Sequence, residues 1–319
     1  MRTLKTGFAF LGLIFLGILL MNAVQQDKAM TTETAAMAAS LSTETEVNDT
    51  NKYNIYALEV PENLDFAGEA VPLHLPDIKE RMDRELLVNT YWQSNGLLMF
   101  KRANKYFPVI EPILKEYGIP DDFKYLAVIE SGLQNVTSPA GARGFWQIMK
   151  ATGRENGMEI NDNVDERFHL EKATRVACKY LLASKEKLGN WTAAAAAYNA
   201  GNAGIDRRLE EQQVTSYYDL LLGEETGRYI FRVIALKEIF TNAKKYGFNF
   251  TKEDLYTHIP TYEVAVDTAV TDFAAFAKKF DINYKILKLH NPWLRENKLN
   301  NSSRTLYKIE IPEKGYYSK

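Results

Sequence analysis

Gly118-Ile119-Pro120-Asp121-Asp122-Phe123-Lys124-Tyr125-Leu126-Ala127-Val128-Ile129-Glu130-Ser131 is punctuation followed by a helix. Glycine closes the helical pattern before it, proline presets the next first turn, and two aspartates stand where caps are favoured. The apolar run then ends on a carboxylate. On helical spacing Glu130 shares a face with Leu126, Ala127 and Leu133, so dry surroundings and the negative end of the helix dipole both disfavour its anion. A carboxyl kept protonated near neutral pH is what protonating a glycosidic oxygen requires. Taken alone, the same residues favour the reading of a helix with an exposed glutamate at its fraying end.

Helical patterns continue on both sides, near 77–90, 92–103, 106–117, 122–132, 170–188, 191–199 and 226–246, with Asn190 as a cap before Trp191. An all-α domain is expected over 77–250. After Lys252 the period changes. Tyr262 to Val266 alternates like a strand, Asp272–Phe280 and Tyr284–His290 are helical, and Leu306 to Ile311 alternates again, so 251–319 reads as a small β-α-α-β module with its own core. The fold class is mainly α with a small α+β module.

At the amino end Arg2 and Lys5 precede an apolar run from Phe8 to Met21, followed by polar residues. Residues 1–24 are an export leader, either a cleaved signal peptide or an anchor through residues 8–21, and the protein is expected in the periplasm or cell envelope. Residues 25–76, with Thr31-Thr32-Glu33-Thr34 and Ser42-Thr43-Glu44-Thr45-Glu46, read as a polar tether. The single cysteine, Cys178, excludes an internal disulfide and reads as a core residue. With 39 basic against 41 acidic side chains, bulk charge points to no nucleic-acid partner. His74, His169, His258 and His290 lack ligand spacing, so neither a metal nor another cofactor is expected. A monomer is the expected state.

Three further segments carry candidate chemistry. Ser138-Pro139-Ala140-Gly141-Ala142-Arg143-Gly144-Phe145-Trp146-Gln147-Ile148-Met149 combines glycines that allow close backbone approach with an amide, an indole and a thioether, a mixture suited to sugars, although the segment alone favours a glycine turn before a buried Trp. Trp191-Thr192-Ala193-Ala194-Ala195-Ala196-Ala197-Tyr198-Asn199-Ala200-Gly201 is a slim helix with a glycine stop. Glu225-Thr226-Gly227-Arg228-Tyr229-Ile230 opens the last long helix.

In this order and spacing the four segments resemble the catalytic domain of soluble lytic transglycosylases, related in fold to goose-type lysozyme. The resemblance covers about 80–247, and Lys101-Arg102-Ala103 with Tyr106-Phe107-Pro108-Val109-Ile110-Glu111 is similar to the membrane-bound lytic transglycosylase D branch. It implies that Glu130 is the catalytic acid and base, that Ser131, Ser138, Gln147 and Met149 line a glycan groove, that Tyr198 and Asn199 close it, and that Tyr229 lies near the carboxyl. The chain departs from the family at Gly227, where arginine often follows Glu-Thr, and at Lys150 and Asn202, where proline is common. Phe273, Ala277, Phe280, Ile286, Leu287 and Asn291-Pro292-Trp293-Leu294 resemble a degenerate LysM module without its usual Gly-Asp-Thr turn.

The implied activity is cleavage of the MurNAc-GlcNAc bond of peptidoglycan glycan strands with formation of 1,6-anhydro ends. No matched segment supplies a second carboxylate with such a role, since Asp121 and Asp122 read as caps and Glu224 and Glu225 as helix-opening residues. A lysozyme-like hydrolase and a catalytically silent wall-binding scaffold are the alternatives.

Overall fold

Glu130 sits one residue from the end of α3, Lys124–Ser131, which Gly132 stops in the left-handed conformation. In the computed structural model, which describes residues 54–317, α3 is surrounded by the other helices of an α-helical body: α1 (Pro76–Tyr91), α2 (Gln93–Glu116), α4 (Lys150–Glu155), α5 (Leu170–Leu188), α6 (Trp191–Ala200), α7 (Asn202–Gln212) and α8 (Glu224–Thr241). The expected mainly-α class holds. The leader and residues 25–53 of the tether lie outside the described residues, and among those described no helix is long and apolar enough to cross a membrane.

Three local expectations differ from what forms. The patterns near 92–103 and 106–117 merge into the single helix α2 with Pro108 and Pro112 inside it. Both prolines are exposed and four residues apart, on a solvent face where water can satisfy the carbonyls that lose their donors. The short helix α4 and the helix α7 were not legible, because α7 buries only Ile205 and shows no apolar stripe. Asp121 and Asp122 make no side-chain cap: Asp121 pairs with Lys124, and Asp122 accepts from Lys237 and from the backbone N–H of Ala67.

Ala67 belongs to a hairpin, β1 (Asp65–Phe66) with β2 (Glu69–Ala70), inside the stretch expected as tether. Leu64, Phe66 and Val71 are buried in the main core, and Phe66 packs on Phe123 at 4.9 Å between ring centroids. The Glu69 carboxylate accepts the backbone N–H groups of Trp191 and Thr192 at 2.6 and 2.8 Å, placing a negative charge on the amino end of α6. Asn190 caps the same helix through the N–H of Ala193 at 2.7 Å, as expected. Ala193 to Ala197 are wholly buried, and their small side chains let α5, α7 and α8 pack against this helix. Cys178 is buried in this core, where desolvation pushes its thiol up to about 12 and keeps it unreactive.

The C-terminal pattern forms as read: β3 (Thr261–Val266), α9 (Phe273–Lys278), α10 (Tyr284–His290) and β4 (Tyr307–Pro312), the strands antiparallel with Val264 opposite Ile309. Its core is not self-contained. Val164 and Phe168 of the helical body are buried among Phe273, Leu287, Trp293, Leu294, Ile309 and Ile311. The backbones of Asp165 and Trp293, and of Arg295 and Asn163, are joined by hydrogen bonds of 2.9 and 2.7 Å, and residues from Ala57 onward form one compact unit.

Candidate active site

The Glu130 carboxyl is enclosed by protein while the residue retains some accessible surface. Burial pushes its pKa up to about 7, against the hydrogen bond from Tyr229 and the charge of Arg232, and the nearby charge of Glu225 raises it further. The Tyr229 hydroxyl donates to Oε1 at 2.5 Å. Burial and the charge of Glu130 hold the tyrosine's own pKa well above its usual value, so it remains a donor. Arginines occupy the carbonyl end of α3: Arg102 donates to the Gly132 carbonyl at 3.1 Å and Arg232 to that of Ile129 at 3.4 Å. Of the two, Arg232 lowers the Glu130 pKa by its charge, and desolvation is the largest cause of the shift.

Ser131 ties α3 to the glycine loop. Its hydroxyl lies 2.8 Å from the Phe145 carbonyl and 3.1 Å from that of Ala127. Within the loop, Ser138 Oγ accepts the N–H of Ala142 at 3.0 Å, which closes a turn. Gly144 has φ +79°, and a Cβ there would lie 1.9 Å from the Arg167 carbonyl oxygen, so backbone conformation and close approach both demand glycine. Gln147, itself at φ 45°, donates its side-chain amide to the carbonyls of Gly144 (2.7 Å) and Val136 (3.2 Å), which orients the amide and leaves its oxygen without a partner in these bonds. Met149 immediately precedes α4 and is 44% exposed.

A buried ion pair that the sequence did not reveal fastens this loop from behind. Asp165 and Arg167, 1% and 2% exposed, are joined by hydrogen bonds of 2.8 and 2.9 Å, and Arg143 adds another at 2.8 Å. Burial pushes the Asp165 carboxyl up, but the two arginines outweigh it and hold it below the usual range. Arg167 also donates to the carbonyls of Gly141 and Ile148, at 3.1 and 3.3 Å. No local pattern marks the pair as a brace, because Asp165 and Arg167, two residues apart, reach Arg143 and the carbonyls of Gly141 and Ile148 only once the two loops meet.

On the other side, α6 and α8 bring up the remaining residues. The Tyr198 hydroxyl donates to the Trp146 carbonyl at 2.7 Å, and its ring is near enough to Glu130 for that charge to raise its pKa, after burial. Asn199 is held at both ends: Thr226 donates to Oδ1 at 2.8 Å, and Nδ2 donates to Glu225 at 3.3 Å. Glu225 therefore does more than open α8. Gly227 is buried against Arg81, whose guanidinium donates to the Gly227 carbonyl, while Arg228 pairs with the buried Glu85 at 2.7 Å. With this departure in place, Tyr229 still faces Glu130. The hydrogen bonds thus link Glu130 with Tyr229 and join Ser131 and Tyr198 to the glycine loop, whereas those of Ser138 are local to its turn.

A sequence model of the transglycosylase SLT domain matches residues 108–220, and one of the soluble lytic transglycosylase C-terminal LysM-like domain matches 262–315. The chain is 28% identical over 198 residues to membrane-bound lytic murein transglycosylase D of Escherichia coli strain K12, which covers 59% of this chain and 43% of that protein. The same figures hold for the protein of that name from E. coli O6:H1. The chain therefore spans less than half the length of the curated relatives it matches. Among solved structures, an inactive mutant of the lytic transglycosylase Slt from Pseudomonas aeruginosa is similar at a TM-score of 0.38 and 17% identity, covering 57% of this chain and 31% of that one. The 70 kDa soluble lytic transglycosylase of E. coli gives 0.39 and 17%, covering 65% and 41%.

Proposed function

We propose that this chain, which carries a transglycosylase SLT domain and a LysM-like module, is a peptidoglycan lytic transglycosylase that acts through Glu130. The observation that carries the proposal is a carboxyl with its pKa raised to about 7 by burial, oriented by Tyr229, in the matched domain. Protonated Glu130 gives its proton to the oxygen joining MurNAc C1 to GlcNAc, and that bond breaks. The substrate's acetamido group stabilises C1. The Glu130 carboxylate then takes the proton of the C6 hydroxyl, whose oxygen bonds to C1 and closes a 1,6-anhydro ring. No water is consumed, and Glu130 ends protonated as it began. Ring closure is favoured over attack by water because the C6 hydroxyl is held close to C1.

Ser131, Ser138, Gln147 and Met149 would contact the glycan from the loop side, and Tyr198, Asn199 and Tyr229 from the helices. The domain division proposed is a leader over 1–24, a tether that ends before the hairpin, a catalytic body to residue 250, and a sugar-binding module over 251–319. The apolar run at residues 8–21 supports an exported, envelope-located protein, held to the membrane if that run is retained. A monomer suffices for this chemistry.

Digestion of purified sacculi with mass spectrometry of the muropeptides tests the reading. Products lighter than hydrolysed muropeptides by one water, with no muramic end that borohydride reduces, are expected. Predominantly reducible ends would assign the chain to the hydrolases, and no release at all would leave it a wall-binding scaffold.

A further inference from the structure

Residues 163–168 form a strip held from two sides. On one side stands the C-terminal module. The Asn163 side chain is buried and engaged by it at both ends: Nδ2 donates to the Glu296 carboxylate at 2.7 Å, and Oδ1 accepts the Asn300 N–H at 2.6 Å. The backbone repeats the attachment. The Arg295 N–H donates to the Asn163 carbonyl at 2.7 Å and the Asp165 N–H to that of Trp293 at 2.9 Å, with Val164 bridged to Leu294 between them. The Arg295 guanidinium also lies 4.1 Å from the centre of the Phe168 ring.

On the other side stands the glycine loop. Asp165 accepts from Arg143, Arg167 donates to the carbonyls of Gly141 and Ile148, and the Phe168 carbonyl accepts from Asn135 at 3.2 Å. The Arg167 carbonyl closes over Gly144, where no Cβ would fit. The loop in turn holds Gln147 and meets Ser131 and Tyr198 through the carbonyls of Phe145 and Trp146. A single strip therefore separates the module from the loop beside Glu130. Apolar contacts of Val164 and Phe168 alone would anchor the module. The Asn163 amide adds register, since any slip of the strip leaves a buried polar group unpaired.

We propose that Asn163 and Glu296 are positioning residues for glycan cleavage: by fixing the register of residues 163–168 they hold Asp165 and Arg167, and with them the glycine loop, where it presents Gln147 and Met149 to the strand. The proposal rests on that loop lining the glycan site. Tyr229, Arg232 and Glu225, the groups that act on the Glu130 pKa besides burial, lie outside this path. Loss of the pair therefore weakens the hold on the strand and leaves the acid as it is.

Like charges supply the test. In Asn163→Asp a carboxylate oxygen takes the place of the amide donor, 2.7 Å from Glu296, and repels it. Adding Glu296→Gln turns the bond round, with the introduced amide donating, while Glu296→Gln alone keeps the acceptor. Full-chain variants are read by amide exchange and by kinetics on soluble glycan strands. Asn163→Asp should speed exchange of the Gly144 and Ile148 amides, which donate to the Val136 and Arg143 carbonyls, by at least about tenfold. It should raise KM at least about fivefold with kcat and the pH profile unchanged. A merely structural loss would instead reduce the folded fraction, lowering apparent kcat at constant KM. Glu296→Gln alone should resemble wild type, and the double variant should recover both readouts. Asn163→Ala removes the pair without repulsion and should move both readouts in the same direction, so it takes the place of Asn163→Asp if that variant does not fold. Unchanged exchange, faster exchange at constant KM, a KM rise in Glu296→Gln by itself, or no recovery in the double variant overturns the positioning role. Exchange is read without substrate, so a wild type that fails to cleave overturns the catalytic reading and is told apart from failure of the link between strip and loop.

Discussion

Tyr229 and Glu130 oppose each other energetically. The 2.5 Å hydrogen bond favours the ionised carboxylate, while burial of the same carboxyl favours the acid, and burial wins because the pKa stands at about 7. A carboxyl whose pKa is raised on folding destabilises the native state once the unfolded chain ionises. That cost is absent at pH 4, grows from the ordinary carboxylate range upward, and is complete above about pH 7. Glu130→Gln is therefore expected to raise Tm at pH 8 and to leave it nearly unchanged at pH 4, while cleavage falls at least about 10²-fold. Calorimetry at the two pH values with a muropeptide assay checks both. Equal Tm changes at the two would deny the raised pKa.

Cleavage needs the protonated acid, so kcat/KM should fall as pH rises through about 7. In Tyr229→Phe the bond that favours the anion is gone. The alkaline limb should move to higher pH even as the rate drops by roughly tenfold, since the acid also loses its orienting partner. A limb that moves down, or stays where it was, contradicts this balance.

Glu225→Gln should do the reverse. Removing a nearby negative charge lowers the Glu130 pKa and moves the alkaline limb to lower pH. Its Gln side chain can still accept from Asn199, so cleavage should persist with anhydro products. Abolished cleavage in this variant would instead mark Glu225 as the second carboxylate of a hydrolase.

Gly144→Ala and Gly141→Ala form a matched pair. Both glycines have positive φ, +79° and +86°, but only at Gly144 would a Cβ meet backbone, the Arg167 carbonyl at 1.9 Å. Gly141→Ala should cost about 1–2 kcal/mol from backbone conformation alone. Gly144→Ala must in addition displace the segment holding Asp165 and Arg167, so its Tm should fall further and cleavage with it. Equal Tm losses would show that the loop yields without strain.

Deleting residues 262–319 should destabilise the helical body. Val164 and Phe168 lose their buried surroundings, worth roughly 1.5–3 kcal/mol each, and the 159–168 segment loses its hydrogen bonds to Trp293 and Arg295. Limited proteolysis should then cut near 159–168 while α5 and α6 stay protected. A truncated chain with unchanged Tm and no new cut would show that the body does not depend on the module.

Much was legible locally, because helix punctuation and period are written in neighbouring residues. The glycine, proline and aspartates before Phe123 located α3, the alanine run with Asn190 located α6, and the change of period after Lys252 delivered β-α-α-β in order. Where local signals conflict with context, context decided: Pro108 and Pro112 are tolerated in α2 because they face solvent, and the hairpin at 65–70 left the apparent tether because Phe66 finds a core and Glu69 finds a helix end. Glu130 was visible as a carboxylate on an apolar face, but its pKa was not, since desolvation, Tyr229, Arg232 and Glu225 act on it through space from distant parts of the chain. The sequence by itself determined the elements, their order and the candidate acid. Only the tertiary structure decided what surrounds that acid and that the Asp165–Arg167 pair braces its loop, because burial and charge act between segments that the chain does not place side by side.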